Sequence, residues 1–205
     1  MNLKLENLKK MFAAAAVEIT AREKELSELD SVCGDGDHGS AIKGAINAAN
    51  AAVASASDLK GAFFDAGFAA MSHSNGSTST LFGSLLMGIS DGIADGSTEL
   101  DGADLYKAFE SGIASVRTNT KADVGDKTLM DALIPAVRAM SKFSDAKAAL
   151  EAAAAASKAG AESTKALQAK FGRARNLGEK SVGSLDAGAV SNSIIFAEFA
   201  KNFNS

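Results

Sequence analysis

The chain has 205 residues, 46% of them hydrophobic and 22% charged, with a formal net charge of −4; that is enough chain and enough apolar residue for a sizeable core. No basic cluster is dense enough to argue for a nucleic-acid partner, and no apolar run approaches the roughly 20 residues that span a membrane. The single Cys33 excludes an internal disulfide and, with an N-terminus (MNLKLENLKKMF) that lacks a signal-peptide core, sets cytoplasmic as the expected location.

Alanine is abundant, proline occurs once and aromatics are few, a mixture that favours helix over strand. Apolar residues then recur at helical spacing in segment after segment. Leu5, Leu8, Phe12, Ala15, Ala16 and Ile19 predict a first helix over about 3–29, and Ile42, Ala45, Ile46, Ala49 and Val53 a second. Phe63, Phe64, Phe68 and Met71 mark a third, Phe82, Leu85, Leu86, Ile89 and Ile93 a fourth, and Leu105, Phe109, Ile113 and Val116 a fifth. Leu129, Leu133, Val137 and Met140 mark a sixth, with Pro135 expected to kink or restart it; an alanine-rich seventh spans 145–168, and Ile194, Ile195, Phe199 and Phe203 mark the last. The expectation is an all-α fold of eight amphipathic helices, without a strand, forming one domain over 1–205.

The connections fall into two sets. SASDLKG (55–61), SDGIADGSTELDG (90–102) and KFSDA (142–146) are plain caps and turns. DSVCGDGDHGS (30–40), SHSNGSTST (72–80), NTKADVGDKT (119–128) and FGRARNLGEKSVGSLDAG (171–188) are polar and rich in glycine, hydroxyls and carboxylates. These four follow the first, third, fifth and seventh predicted helices. In an up-down bundle successive loops alternate between ends, so all four share one end.

The first of these loops carries the strongest chemistry. Asp35 and Asp37 flank Gly36, with Asp30 close by. Aspartates at helix ends also cap amides, but three crowded carboxylates repel one another unless a cation or donors compensate them. Hard oxygen ligands suit Mg²⁺ or Ca²⁺. An EF-hand loop counted from Asp35 fails, because its twelfth position is Ile46. Mg²⁺ with phosphate oxygens therefore fits best. His38 precedes the second helix, where an imidazole and the helix's free amides suit an anion, or where it simply caps the helix. SHSNGSTST has the hydroxyls and glycine of a phosphate-cradling loop but not the lysine or spacing of a P-loop; on its own it reads equally as a helix cap, and His73 reads as structural. GDKTLMD (125–131) reads as a capping sequence with Met130 in the core. Arg173 and Arg175 lie in the long glycine-rich stretch, where an arginine can neutralise a transferring phosphoryl group or simply face water.

Taken together, D-x₄-GDGDHG (30–39), NGSTSTLFG (75–83), GDKTLMDALIP (125–135) and GRA…LGEKSVGSLDAGA (172–189) resemble the nucleotide-binding L component (DhaL type) of the dihydroxyacetone kinases, over essentially the whole chain. The resemblance implies a barrel of eight antiparallel helices with a nucleotide, ADP or ATP, held by loops at one end. It implies that Asp30, Asp35 and Asp37 coordinate two Mg²⁺ ions bridging the phosphates, and that Arg173 joins them in catalysis. By the same resemblance His38, Gly39, Ser40, Gly76, Ser77 and Thr78 contact phosphates, Gly125 and Met130 lie against the nucleoside, and Arg173, Asp186, Ala187 and Gly188 close over it. The substrate, a three- or four-carbon keto-sugar, would be held by a separate K-type subunit, with phosphoryl supplied by ATP or by a phosphotransferase-system protein acting on bound ADP. A chain with its own Met1 favours a separate subunit. Two departures stand out: Asn75 and Ser79 replace glycines of the usual GGxSGxLxG, and Ala187 replaces the proline of Asp-Pro-Gly-Ala. The alternatives are a non-catalytic Mg-nucleotide sensor docking on a regulator, and a metal-stabilised helical protein that binds no nucleotide.

Overall fold

The computed structural model describes residues 1–74 and 76–203. Most of it is helix: α1 (Leu5–Ala21), α2 (Glu23–Cys33), α3 (His38–Ser55), α4 (Leu59–His73), α5 (Ser77–Asp91), α6 (Gly102–Arg117), α7 (Met130–Met140), α8 (Ala146–Ser163) and α9 (Ala187–Lys201). Short 3₁₀ segments cover Thr164–Ala166 and Arg173–Ser181. The expected absence of strands needs correction, since β1 (Leu3–Lys4) pairs antiparallel with β2 (Glu99–Leu100). This pair ties the start of the chain to the α5–α6 connection.

Packing follows the chain. α1 packs on α3, each helix from α3 to α9 packs on the next, and α9 returns to α1, while α2 lies against α3 and α9. The core is continuous from Leu3 to Phe203. Phe12 joins three helices, its ring centroid 6.2 Å from Phe63 of α4 and 5.1 Å from Phe199 of α9. Caps set the plain ends: the side chains of Asp58, Asp101 and Asp145 accept from Gly61, Asp104 and Ala148 amides at the starts of α4, α6 and α8.

Three local expectations change. The first predicted helix is divided at Arg22, whose backbone (φ −102, ψ 12) leaves the helical region while its guanidinium pairs with Glu25 at 2.6 Å. The division lets α2 run separately into the acidic loop. On α4, Phe63 is buried but Phe64 and Phe68 are exposed. The packed face there is instead built of Ala62, Ala66, Gly67 and Ala70, and a Cβ on Gly67 would sit 2.6 Å from Met87 Cγ and 2.7 Å from the Gly83 carbonyl of α5. Small residues permit that approach, so the large ones face outward. Finally, α7 runs through Pro135 without interruption. Proline offers no N–H to the carbonyl four residues back, and that Asp131 carbonyl lies where Gly160 brings α8 close, at a spot a Cβ would overlap.

Candidate functional site

The four polar connections do meet. Residues from 29–42, 74–85, 119–130, 171–174 and 185–195 line one cavity of about 740 Å³. The polar part of its lining carries Asp30, Asp35, Asp37, His38, Ser77, Thr78 and Arg173; the apolar part has Leu81, Phe82, Leu85, Met130, Leu185 and Ile195.

The polar part of the lining has local causes. Asp30 sits near the end of α2, and its Oδ2 accepts from the amides of Gly36 (2.8 Å), Asp37 (3.1 Å) and His38 (3.4 Å). The loop is thereby folded back over the helix end; Gly36 takes φ +78, and at Gly34 a side chain would collide with Asp30 itself. As a result, oxygen atoms of Asp30, Asp35 and Asp37 all lie within 4.8 Å of one another. Arg173 of the 3₁₀ segment donates to Asp35. Loss of hydration and the neighbouring Asp35 and Asp30 charges raise the Asp37 carboxyl above its ordinary range, Arg173 opposing. A hard cation fits such a donor set.

His38 is held on both ring nitrogens. Nε2 lies 2.9 Å from Ser191 Oγ and Nδ1 3.2 Å from Thr78 Oγ1. The Ser191 hydroxyl donates its one proton to the Gly188 carbonyl at 3.1 Å, so it accepts from His38 Nε2–H. Nδ1 is then bare and accepts from Thr78. Burial lowers the His38 pKa, with the Asp30 charge opposing. The imidazole thus links the starts of α3 and α5 to the second turn of α9.

Of the residues expected here, Asp30, Asp35, Asp37, His38, Gly76, Ser77, Thr78, Met130, Arg173, Asp186, Ala187 and Gly188 line the cavity. Gly39, Ser40 and Gly125 are not among the described residues that do. Gly39 is buried, pressed on the Glu23 carbonyl and Ser27 of α2, and Ser40 turns back to the Asp37 carbonyl at 2.8 Å. Gly125, at φ +95, gives its amide to Asp131 Oδ1 at 2.6 Å. His73 packs against Gly44 of α3, in keeping with a structural role. Asn75 lies outside the described residues. Ser79, the second departure from the family loop, is buried and its hydroxyl sits 2.8 Å from Ser74 Oγ. The long stretch expected to be plain loop is partly 3₁₀, kinked at Gly178.

Two buried charged residues were not anticipated. Asp131, 1% exposed, accepts from the amides of Gly125 and Thr128 (2.7 Å) and so shapes the 125–128 turn. Lys127, 2% exposed, lines the cavity and donates to the backbone carbonyls of Thr164 (2.6 Å) and Ser184. The only sequence signal was their place in GDKTLMD, a run that reads equally as a cap.

Asp186 caps α9, its Oδ2 accepting from Ala189 at 2.7 Å. Burial raises its pKa to about 7, with Asp131 adding to the rise and the Ala189 amide and Lys127 opposing it. The folded protein therefore binds a proton that the unfolded chain has released above its ordinary value of 3.8. Stability falls as pH rises through that window, by up to about 1.4 kcal/mol per pH unit at its steepest. Asp186→Asn, which keeps an oxygen for Ala189, is expected to melt several degrees above the parent at pH 8 and to converge with it near pH 4; melting curves across that range check this.

The sequence comparisons agree with one another. Residues 32–201 match the model of the DAK2 domain. The chain is 32% identical over 173 residues to the ADP-binding subunit DhaL of PEP-dependent dihydroxyacetone kinase 1 of Listeria innocua, covering 83% of each chain. Against the corresponding Escherichia coli ADP-binding subunit it is 32% identical over 181 residues, covering 85% of this chain and 86% of that one. It is 37% identical over 178 residues to L-erythrulose 1-kinase of Mycolicibacterium smegmatis, covering 82% of this chain but 30% of that protein. The crystal structure of the dihydroxyacetone kinase from C. freundii in complex with AMP-PNP and Mg²⁺ superimposes with a TM-score of 0.74 at 24% identity, over 94% of this chain and 33% of that one; this is a likeness of fold. The chain thus spans about a third of the larger kinases and most of the ADP-binding subunits. No helix among the described residues is long and apolar enough to cross a membrane.

Proposed function

The chain belongs to the DAK2-domain family, and from that premise we propose that it is a DhaL-type nucleotide-binding component of a dihydroxyacetone-type kinase, a phosphotransferase acting with a partner subunit. The observation that carries the reading is the meeting of three carboxylates and an arginine with apolar side chains in one cavity at a single end of the helices. The ring of packed helices is read as a barrel of eight antiparallel helices, with α1 and α2 counted as one divided element, forming a single domain in the cytoplasm.

Asp30, Asp35 and Asp37 would hold Mg²⁺, two ions by the family pattern, and the metal would neutralise phosphate charge. The free amides in the first turns of α3 and α5, including those of Gly39, Ser40, Ser77 and Thr78, are suited to phosphate oxygens. Leu81 and Phe82 offer an apolar surface for a nucleoside, with Met130, Ala187 and Gly188 in the same cavity lining. Arg173 would neutralise charge on the group in transfer. Phosphoryl transfer needs mainly positioning and charge neutralisation, and this lining supplies both. The acceptor is a short keto-sugar, dihydroxyacetone or erythrulose, presented by a K-type subunit; the donor is bound ATP, or ADP recharged by a phosphotransferase-system protein.

Mixing the chain with a K-type subunit, Mg²⁺, the keto-sugar and each donor in turn tests this. The expected result is a sugar phosphate formed only when both subunits are present. Binding of Mg-ADP without any product, across both sugars and both donors, would favour the sensor that docks on a regulator.

A further inference from the structure

Lys127 is unusual twice over. It is the one non-glycine among the described residues with a left-handed backbone, at φ 59, a conformation that side chains with a Cβ adopt at a cost and that persists where surroundings enforce it. It is also a buried ammonium, and burial pulls its pKa below the usual lysine range while Cys33, Asp186 and Asp131 oppose that.

What surrounds the ammonium bears on both features. Nζ donates to the carbonyls of Thr164, where α8 ends, and Ser184, just before α9. These two points bracket residues 165–183, the segment that carries Arg173. Inside it Gly172, Gly178 and Gly183 all take positive φ, so the segment turns at three glycine joints. Its two ends meet at the same place: the Gly183 amide donates to the Lys165 carbonyl at 2.8 Å, and the Asp186 amide donates to Thr164 Oγ1 at 3.0 Å. A second lysine links the same elements from outside, Lys170 donating to Asp126 at 2.8 Å, but that ammonium is 61% exposed and so is screened by water. The Lys127 bonds are shielded.

We propose that Lys127 is a positioning residue, a buried clasp that fixes both ends of the 165–183 segment and so holds that segment, with Arg173, closed over the cavity. It touches neither the carboxylates of the metal-type cluster nor the reacting groups, and acts through the segment it holds. The left-handed backbone accompanies this reach: from that conformation the side chain at the 125–128 turn meets both carbonyls. The inference rests on the functional reading above for its consequence on nucleotide, though not for its consequence on the segment itself.

The experiment uses the whole chain, unmodified and as Lys127→Met and Lys127→Gly. Methionine removes the ammonium at nearly constant length; glycine removes it while relieving the left-handed backbone, and so remains informative where methionine fails to fold. Two quantities are read: amide hydrogen exchange, and dissociation of an ADP bearing an N-methylanthraniloyl fluorophore in the presence of Mg²⁺. The expected result is exchange at least 10-fold faster over 165–183, with the buried helices α1, α4 and α9 unchanged, and fluorescent ADP leaving about 10-fold faster while its association rate stays within 2-fold. Exchange within 2-fold of the parent over 165–183 would overturn the proposal. So would acceleration spread evenly over the whole chain in both variants, which would make Lys127 a general stabilising residue. If the unmodified chain binds no fluorescent ADP with Mg²⁺, the functional reading fails, and the exchange comparison still decides the clasp.

Discussion

Asp30→Ala is expected to weaken Mg-ADP binding more than 100-fold and to cost the protein about 1–3 kcal/mol of stability in the absence of any ligand. The double penalty follows from two uses of one carboxylate. Its Oδ2 accepts from the amides of Gly36 and Asp37 and holds the acidic loop against the end of α2, and its oxygens lie within 4.8 Å of those of Asp35 and Asp37. Asp37→Ala makes the informative contrast. That carboxyl is already pushed upward by loss of hydration and by the Asp35 and Asp30 charges, so removing it relieves repulsion. It should lose Mg-ADP binding to a similar degree while leaving the ligand-free melting point equal or slightly higher. Titration calorimetry and melting curves on both variants check the pair. Equal destabilisation by the two would show that Asp30 has no special hold on the loop.

Arg173→Ala is expected to slow phosphoryl transfer by about 10³-fold, within the range seen for arginines that neutralise a transferring group, while Mg-ADP affinity falls less than 10-fold. The reason is location. Arg173 is exposed, comes from the jointed segment after α8, and meets the cavity at Asp35; no buried packing depends on it. The measurement is the transfer rate with a K-type subunit set beside calorimetric binding. If both fall alike, Arg173 only anchors the nucleotide.

The arrangement of the site was legible in the sequence because it rests on helical period and loop parity, which need no knowledge of contacts. Four polar loops after alternate predicted helices had to share an end, and they line one cavity. What escaped was whatever depended on close approach. Phe64 and Phe68 looked like core because hydropathy rewards size, whereas the close α4–α5 approach is made by Gly67 and Met71 against Gly83 and Met87. The break at Arg22 carries no glycine or proline, and the apolar stripe continues through it to Leu26. Lys127 and Asp131 lie in a run that reads as a helix cap, and charged side chains are seldom buried; their burial depends on carbonyls and amides supplied by segments 37 and 6 residues away in the chain. Gly39 and His38 illustrate a further limit. The motif GDGDHG carries no signal of the packing its members also do: Gly39 lets α3 press on α2, and the His38 ring lies between Thr78 of α5 and Ser191 of α9.

The central claim is that this end of the protein binds a nucleotide through a metal. The most direct measurement is the melting point of the unmodified chain with Mg²⁺ alone, ADP alone, and both. A ligand at about 100 times its Kd adds about 2.7 kcal/mol, which for a chain of this size raises the midpoint by roughly 5–10 °C. The expected result is that shift with Mg²⁺ and ADP together and little with either alone. No shift with both present, or the same shift from ADP without Mg²⁺, would contradict it.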